Sequence, residues 1–487
     1  MLFIFIVSFS FSFNLLFYFK SIGDLSYLLT HNPLGGFMKK QHTLSLTEGP
    51  VTLSLVQFTF PILVAMALQL LYGATDMFIV GNFGTVSDVS GISTSSQLMN
   101  LLTSLCTGLA TGATIYIGQK IGQKKDHEVS GIIVNAVSLF MLISLAIMSL
   151  LLIFKPQLLT LLNTPSNALR ETSDYLFYCS LGIPMIFAYN ILGSIFRGLG
   201  DSKTPMVAVG IACVINIILD LILVAGFGLG AAGAAMATVC AQTISVILSL
   251  LIVRQKQLFK FAFHGSDLKF QKVHITRVLS LGIPVALQSM LVSFSFLMIT
   301  VIINDFGVVF SAAVGLSEKI TGLIMLVPLA FMQSLSVYVA QNVGSEEHER
   351  AKKALISAML ISIVFGVVMA TVAFFQGEYL ARLFSQDTAV IAETVNYLKS
   401  YAFDTLLVPV LFCLTGYFNG YGKTFFVMIQ GVISALLIRV PLAFLFSQIV
   451  PTSLFIIGLA TPTATFIQII ACILYYFFIR KKLHLRK

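Results

Sequence analysis

The sequence predicts an all-α, polytopic membrane protein of twelve transmembrane helices in two pseudo-symmetric six-helix lobes. Three observations predict it: the composition, the lengths of the apolar runs and an internal repeat. Of 487 residues, 57% are hydrophobic and 10% are charged, against roughly 25% charged in an average soluble protein. Mean hydropathy is +0.95. A soluble enzyme of this size cannot bury so much apolar surface and still present a polar exterior, so the excess must face lipid. The net charge of +9 is then a record of membrane orientation and not the footprint of a nucleic-acid partner.

Each crossing needs about 20 apolar residues, and runs of that order lie at about 57–81, 90–118, 130–154, 172–197, 205–226, 231–253, 276–304, 309–341, 352–375, 392–418, 424–447 and 453–479. Alternate connections differ sharply in charge. Of the 29 Lys and Arg, only Lys155, Arg170, Arg382 and Lys399 fall in one set of loops, while Lys319 and Arg439 lie within spans. The other 23 fall in the opposite set of loops and in both tails. Lys and Arg collect on the cytoplasmic side, so both termini are expected there. The six cysteines, all inside apolar runs without paired spacing, read as small core residues.

Met1 to Phe19 is a nearly unbroken apolar run with no basic residue before Lys20 and no small-residue cleavage site, which makes a poor signal peptide. It is either a thirteenth span or part of an upstream extension, residues 1–37, ahead of a natural start at Met38. The expected organisation is an extension at 1–45, an N-terminal lobe at 46–253, a basic cytoplasmic linker at 254–275, a C-terminal lobe at 276–480 and a basic tail at 481–487.

The halves repeat at an offset of about 222 residues. Phe60-Pro61 and Asn82-Phe83-Gly84 match Ile283-Pro284 and Asp305-Phe306-Gly307; Gln119 and Gly122 match Gln341 and Gly344; Phe196, Gly198 and Gly200 match Phe418, Gly420 and Gly422. Six helices per half is an even number. Both halves therefore enter the membrane from the same side and are related by an axis along its normal, with a site expected between or within the lobes.

Ionisable residues inside spans are costly and are functional candidates by default. They are Asp76, Asp220, Glu318, Lys319, Asp404 and Arg439. Asp76, Asp220 and Thr238, on the first, fifth and sixth helices, all fall about 7–11 Å below the same end of the bundle. Asn216 lies one turn before Asp220 on the same face, and Tyr175 is a further hydroxyl at a similar level. Such a set could share a proton between two carboxylates or cage a bare Na⁺ with hard oxygen ligands. The alternative is two acids that reach the headgroups from near helix ends. In the C-terminal half the counterparts of Asp76 and Asp220 are Ile299 and Leu442, so a coupling site is confined to the N-terminal lobe. Glu318 and Lys319 point about 100° apart and do not pair on one face. Arg439 is expected to form an ion pair with Glu318 or Asp404, or else to line a substrate cavity. No phosphate-binding loop, metal-binding run or nucleophile motif is present, so no enzymatic chemistry or cofactor is expected.

Leu46-Thr47-Glu48-Gly49-Pro50 leads into the helix carrying Pro61 and Asp76. Phe196-Arg197-Gly198-Leu199-Gly200-Asp201-Ser202-Lys203-Thr204-Pro205-Met206 follows, then Asn216 and Asp220 ahead of Gly230-Ala231-Ala232-Gly233-Ala234-Ala235. Together they resemble the multidrug and toxic compound extrusion (MATE) family, over about 46–480. The resemblance implies a V-shaped pair of lobes in a prokaryotic cell membrane, acting as a monomer. It implies an antiporter that expels organic cations and other drugs in exchange for Na⁺ or H⁺. It also implies that Asp76, Tyr175, Asn216, Asp220 and Thr238 match the family's cation site. Acids that some members carry on the seventh and tenth helices are replaced here by Val292 and Val408, with Asp404 one turn away. The other reading is a flippase for lipid-linked sugars of the same superfamily, which needs a strongly cationic cavity that Lys319 and Arg439 alone do not supply.

Overall fold

A backbone surrounded by hydrocarbon must satisfy its own N–H and C=O groups, and a chain with this hydropathy does so as helices. The computed structural model describes residues 45–162, 164–256, 270–449 and 452–484. Among these the structure is helical throughout, without strands. The spans run Val51–Phe83, Val86–Gly122, Asp126–Ile153, Ser166–Gly198, Lys203–Gly226, Gly230–Val253, Lys272–Asn304, a bent eighth made of Val308–Ile324 and Leu326–Gly344, then His348–Phe375, Thr388–Gly420, Thr424–Ser447 and Leu454–Phe478. Among the described residues, eleven helices are long and apolar enough to cross a membrane, and the bent pair, counted as one span, makes twelve. The expectations for residues 1–37, and for most of the linker and the last tail residues, lie outside the described residues.

Several helices begin four to six residues before their apolar run does. Hydropathy marks where the chain enters lipid, whereas the helix starts at its cap. The second helix shows this: Thr85 accepts from the Asp88 amide at 3.2 Å, and Asp88 Oδ2 accepts from the Thr85 amide at 2.8 Å, a reciprocal capping box. Asp88 Oδ1 also accepts from the Ala231 amide at 2.7 Å, tying the starts of the second and sixth helices together.

The eighth span bends by 48° at Met325. Pro328 accounts for it, because a proline ring collides with the carbonyl four residues earlier, here that of Ile324, where the first segment ends. Its partner in the repeat, the second helix, has no proline and runs unbroken for 37 residues. Both fifth-type spans contain a wide π turn, Leu221–Gly226 immediately after Asp220 and Ile433–Arg439 ending on Arg439. Each half thus places a charged residue at the edge of a local helix irregularity, a feature often found at functional sites.

The halves meet along small residues. A Cβ on Gly108 would overlap the Ala286 backbone, and one on Gly112 would overlap that of Gly282, so the second and seventh helices touch main chain to main chain. Hydrogen bonds cross this seam in symmetric pairs. Gln119 Nε2 donates to the Gly420 carbonyl at 3.1 Å, and its repeat partner Gln341 Nε2 donates to Gly198, the partner of Gly420, at 3.0 Å. Tyr116 bonds His274 at 3.1 Å as Tyr338 bonds Ser54 at 3.0 Å, each tyrosine reaching the first helix of the opposite half. The internal repeat is therefore a contact symmetry as well as a sequence one.

Gly108→Val should cost about 1–3 kcal/mol through overpacking of this seam. The expected readout is a lower thermal unfolding midpoint in detergent, while Gly315→Val, at a position with nothing within 4 Å of a built Cβ, leaves the midpoint unchanged. Equal midpoints for the two variants would contradict the packing argument.

Candidate functional site

The first, fifth and sixth helices converge on a buried acidic centre. Asp76 is 9% exposed, and Asn216 and Asp220 are fully enclosed. Asn216 and Asp220 project from one face of the fifth helix because they are four residues apart. The amide of Asn216 is assigned with its nitrogen toward the acids, since the reverse orientation would set its oxygen against acceptors only. It then donates to Asp76 Oδ1 at 2.8 Å and to Asp220 Oδ2 at 3.2 Å. Thr238 Oγ1, from the sixth helix, donates to Asp76 Oδ2 at 3.3 Å. The two carboxyl groups lie within hydrogen-bonding reach of each other.

Four of the five residues singled out in the sequence are thus joined in one network. Tyr175, 8% exposed, stands beside it, in the neighbourhood of Ser96, Cys179, Asp76 and Tyr72. Two further residues belong to the centre and were not singled out. Tyr72, one turn before Asp76, sits beside Thr238 and Gln242, which is one turn after Thr238. The spacing of four from each known member was the available signal. Among the described residues, Asp220 Oδ1 and Gln242 Oε1 have no hydrogen-bond partner. A buried carboxylate oxygen without a donor is costly. This one is chemically suited to a proton or a small hard cation. Asp88 makes the contrast plain, because both of its oxygens are occupied by Thr85 and Ala231.

The C-terminal half is built differently. Arg439 is 6% exposed, donates from Nη1 to Ser295 at 3.1 Å and lies 4.5 Å over the Phe296 ring. Asp404, 4% exposed, lies beside Thr465, and its Oδ1 has no hydrogen-bond partner among the described residues. The expected ion pair is not formed: among the described residues no basic group lies within 4.0 Å of Asp404 or Glu318. The π turn directs the guanidinium at the seventh helix, where Ser295 and Phe296 receive it. Glu318 and Lys319 are exposed on the eighth helix. The cysteines are buried and unpaired as small core residues, except for Cys240, which is exposed on the sixth helix.

Among solved structures, a transporter of the MOP superfamily from Pyrococcus furiosus superposes with a TM-score of 0.85 at 18% identity, covering 90% of this chain and 97% of that one. The outward-facing structure of a multidrug resistance MATE family transporter superposes with a TM-score of 0.84 at 19% identity, covering 90% and 97%. At these identities the likeness is one of fold. In sequence, the probable multidrug resistance protein YoeA of Bacillus subtilis is 26% identical, over 88% of this chain and 94% of its own length. The multidrug export protein MepA of Staphylococcus aureus is 26% identical, over 81% and 88%. A FAD transporter of Shewanella oneidensis is also 26% identical, over 89% and 96%. The MatE family model matches twice, at residues 61–222 and 284–445. The two matches are offset by the same distance as Pro61 and Pro284, so the family's unit is the repeat that the sequence itself displays. With both halves of its fold accounted for in this way, the chain belongs to the MatE family, the multidrug and toxic compound extrusion transporters, and is a multi-pass transporter and not an enzyme.

Proposed function

We propose that this transporter is a secondary active antiporter, exporting organic cations and other drug-like molecules in exchange for Na⁺ or H⁺ taken up at Asp76 and Asp220. The observation that carries the reading is the unfilled acceptor on Asp220 beside a carboxylate pair that shares a single amide donor. In this reading the lobes are residues 46–253 and 276–480, both termini face the cytoplasm of a cell membrane, and the working unit is a monomer. Two relatives, a probable multidrug resistance protein and a multidrug export protein, support the substrate class. A lipid-linked sugar flippase is not favoured, since Arg439 is spent on Ser295 and Phe296 and Lys319 is not enclosed.

The mechanism follows from charge. With the centre open to the outside, Asn216 and Thr238 hold the two carboxylates in place but supply too few donors for both. A proton or Na⁺ arriving at Asp220 Oδ1 answers part of the remaining charge, with Asp76 and Thr238 offering oxygens around it, Gln242 Oε1 one turn further along the sixth helix, and Asn216 holding the two carboxylates through its N–H groups. With its charge halved, the centre can be enclosed at lower cost. The first helix then packs more closely on the fifth and sixth, which favours drug release outward and reopening to the inside. Release of the cation inside restores the unbalanced pair and returns the lobe to its outward form. Exchange depends on the cation and the drug stabilising different states.

Asp76→Asn should abolish gradient-driven efflux of a fluorescent cation from proteoliposomes while leaving expression and the unfolding midpoint close to wild type. Undiminished efflux in this variant refutes the assignment. Repeating the assay with a Na⁺ gradient and with a pH gradient identifies the coupling ion.

Gln242→Leu and Tyr72→Phe each remove one polar contact that supports the centre and should raise the cation concentration giving half-maximal efflux by about 2- to 10-fold. The maximal rate is expected to change less. A loss of maximal rate with unchanged cation dependence would place these two residues outside the coupling site.

A further inference from the structure

At the basic end of the bundle, a cleft of about 690 Å³ opens where the second helix finishes and the seventh begins. Lys120, Gln119 and Gln123 line it from one half, and Lys272, Thr276 and Arg277 from the other. Every one of these side chains can donate hydrogen bonds. The balance of charge is positive. Lys120 is paired with Glu128 at 2.5 Å, a carboxylate that also faces Lys125 at 3.5 Å. Lys272 and Arg277 have no acidic partner within 4.0 Å among the described residues.

The repeat shows what is unusual here. In the C-terminal half, Asn342 and Arg350 stand where the N-terminal half has Lys120 and Glu128. There they clasp backbone: Asn342 donates to the Leu46 carbonyl at 3.0 Å, and Arg350 donates to those of Glu48 and Gly49 at 2.6 Å each. On the other side of the pseudo-axis, the residue leading into the seventh helix takes a different partner, the Gln271 amide donating to Asn135 at 2.7 Å. Where one half grips a chain segment through its carbonyl oxygens, the other presents a cleft rimmed by cations and amides. Oxygen acceptors are its natural complement.

We propose that this cleft is a binding site for a phosphate-bearing anion, held by Lys120, Lys272 and Arg277 with amide and hydroxyl donors beside them. A guanidinium and two ammonium groups around a small concavity suit a tetrahedral oxyanion, the guanidinium binding it in bidentate fashion. The cleft lies at the ends of two spans, level with the headgroups of the leaflet at the basic end, so an anionic phospholipid is the source we assign. Both halves contribute, and the site is beside the seam. Arg277 Nη2 and Gln119 Nε2 both lie within 3.5 Å of the place a Gly422 Cβ would occupy. A phosphate bound here bridges the two halves where they touch and stabilises that contact.

The test uses the purified full-length protein, stripped of lipid, with unfolding followed by a thiol-reactive dye that reports the five buried cysteines. Phosphatidylglycerol should raise the midpoint by about 3 °C or more over an equal amount of phosphatidylcholine. The excess should vanish in Lys272→Gln/Arg277→Gln, fall by about half in Lys272→Gln alone, and persist in Lys352→Gln/Lys353→Gln at the same end of the bundle. If inorganic phosphate alone produces the same variant-sensitive rise, the site stands and its ligand is soluble phosphate. A rise that is equal in wild type and the cleft variants, or no rise with either probe, overturns the proposal.

Discussion

Two carboxylates inside a membrane, served by one amide, set the terms for the rest of this molecule. Asp76 and Asp220 both accept from Asn216, and one oxygen of Asp220 has no donor among the described residues. In water such a pair would be unremarkable. Between helices, where no bulk solvent compensates, an unanswered carboxylate oxygen is costly, and a proton or small cation bound there would lower that cost. The surrounding architecture presents this imbalance on helices able to respond. Asp76 sits on the first helix, which packs against both the fifth helix of its own half and the eighth helix of the other. The π turn beginning at Leu221 widens the fifth helix immediately beyond Asp220.

The seam between the halves is a close contact, reciprocal across the repeat. Its hydrogen bonds come in reciprocal pairs, Gln119 to Gly420 and Gln341 to Gly198, with main chain packed on main chain at Gly108 and Gly112. Backbone contact of this kind has little capacity to yield gradually, so the halves are suited to rocking between discrete arrangements and not to continuous deformation. The symmetry is broken at the buried charges. Acids occupy the N-terminal half alone at the equivalent positions, and the C-terminal half carries Arg439 held by Ser295 and the face of Phe296.

Much of this was legible in the residues. An acid in an apolar run stands out because its cost is large, and topology alone placed Asp76, Asp220 and Thr238 at one level. The repeat was legible because glycines and glutamines at a close helix contact tolerate few replacements. Tyr72 and Gln242 stand one turn from Asp76 and Thr238, but that spacing alone is a weak signal, since an uncharged polar side chain in a span is equally at home in helix packing, and only the fold shows the two meeting. Asp88 lay outside the expected second helix because hydropathy does not see a cap. The ion pair expected for Arg439 failed for a related reason: sequence reports a charge but not the direction in which a π turn sends a side chain. Proline was ambiguous too, since Pro61, Pro184, Pro284 and Pro409 sit inside continuous helices while Pro328 sits just past a 48° bend.

The central claim is that the buried pair takes up one neutralising charge per chain. Equilibrium binding of radiolabelled Na⁺ to the purified transporter, with proton release recorded in the same sample, measures it directly. The account predicts a single positive charge held per polypeptide, either one Na⁺ or one proton that Na⁺ displaces, and its complete loss in the Asp76→Asn/Asp220→Asn double variant. Binding that survives removal of both carboxylates, or a stoichiometry of two, would contradict it.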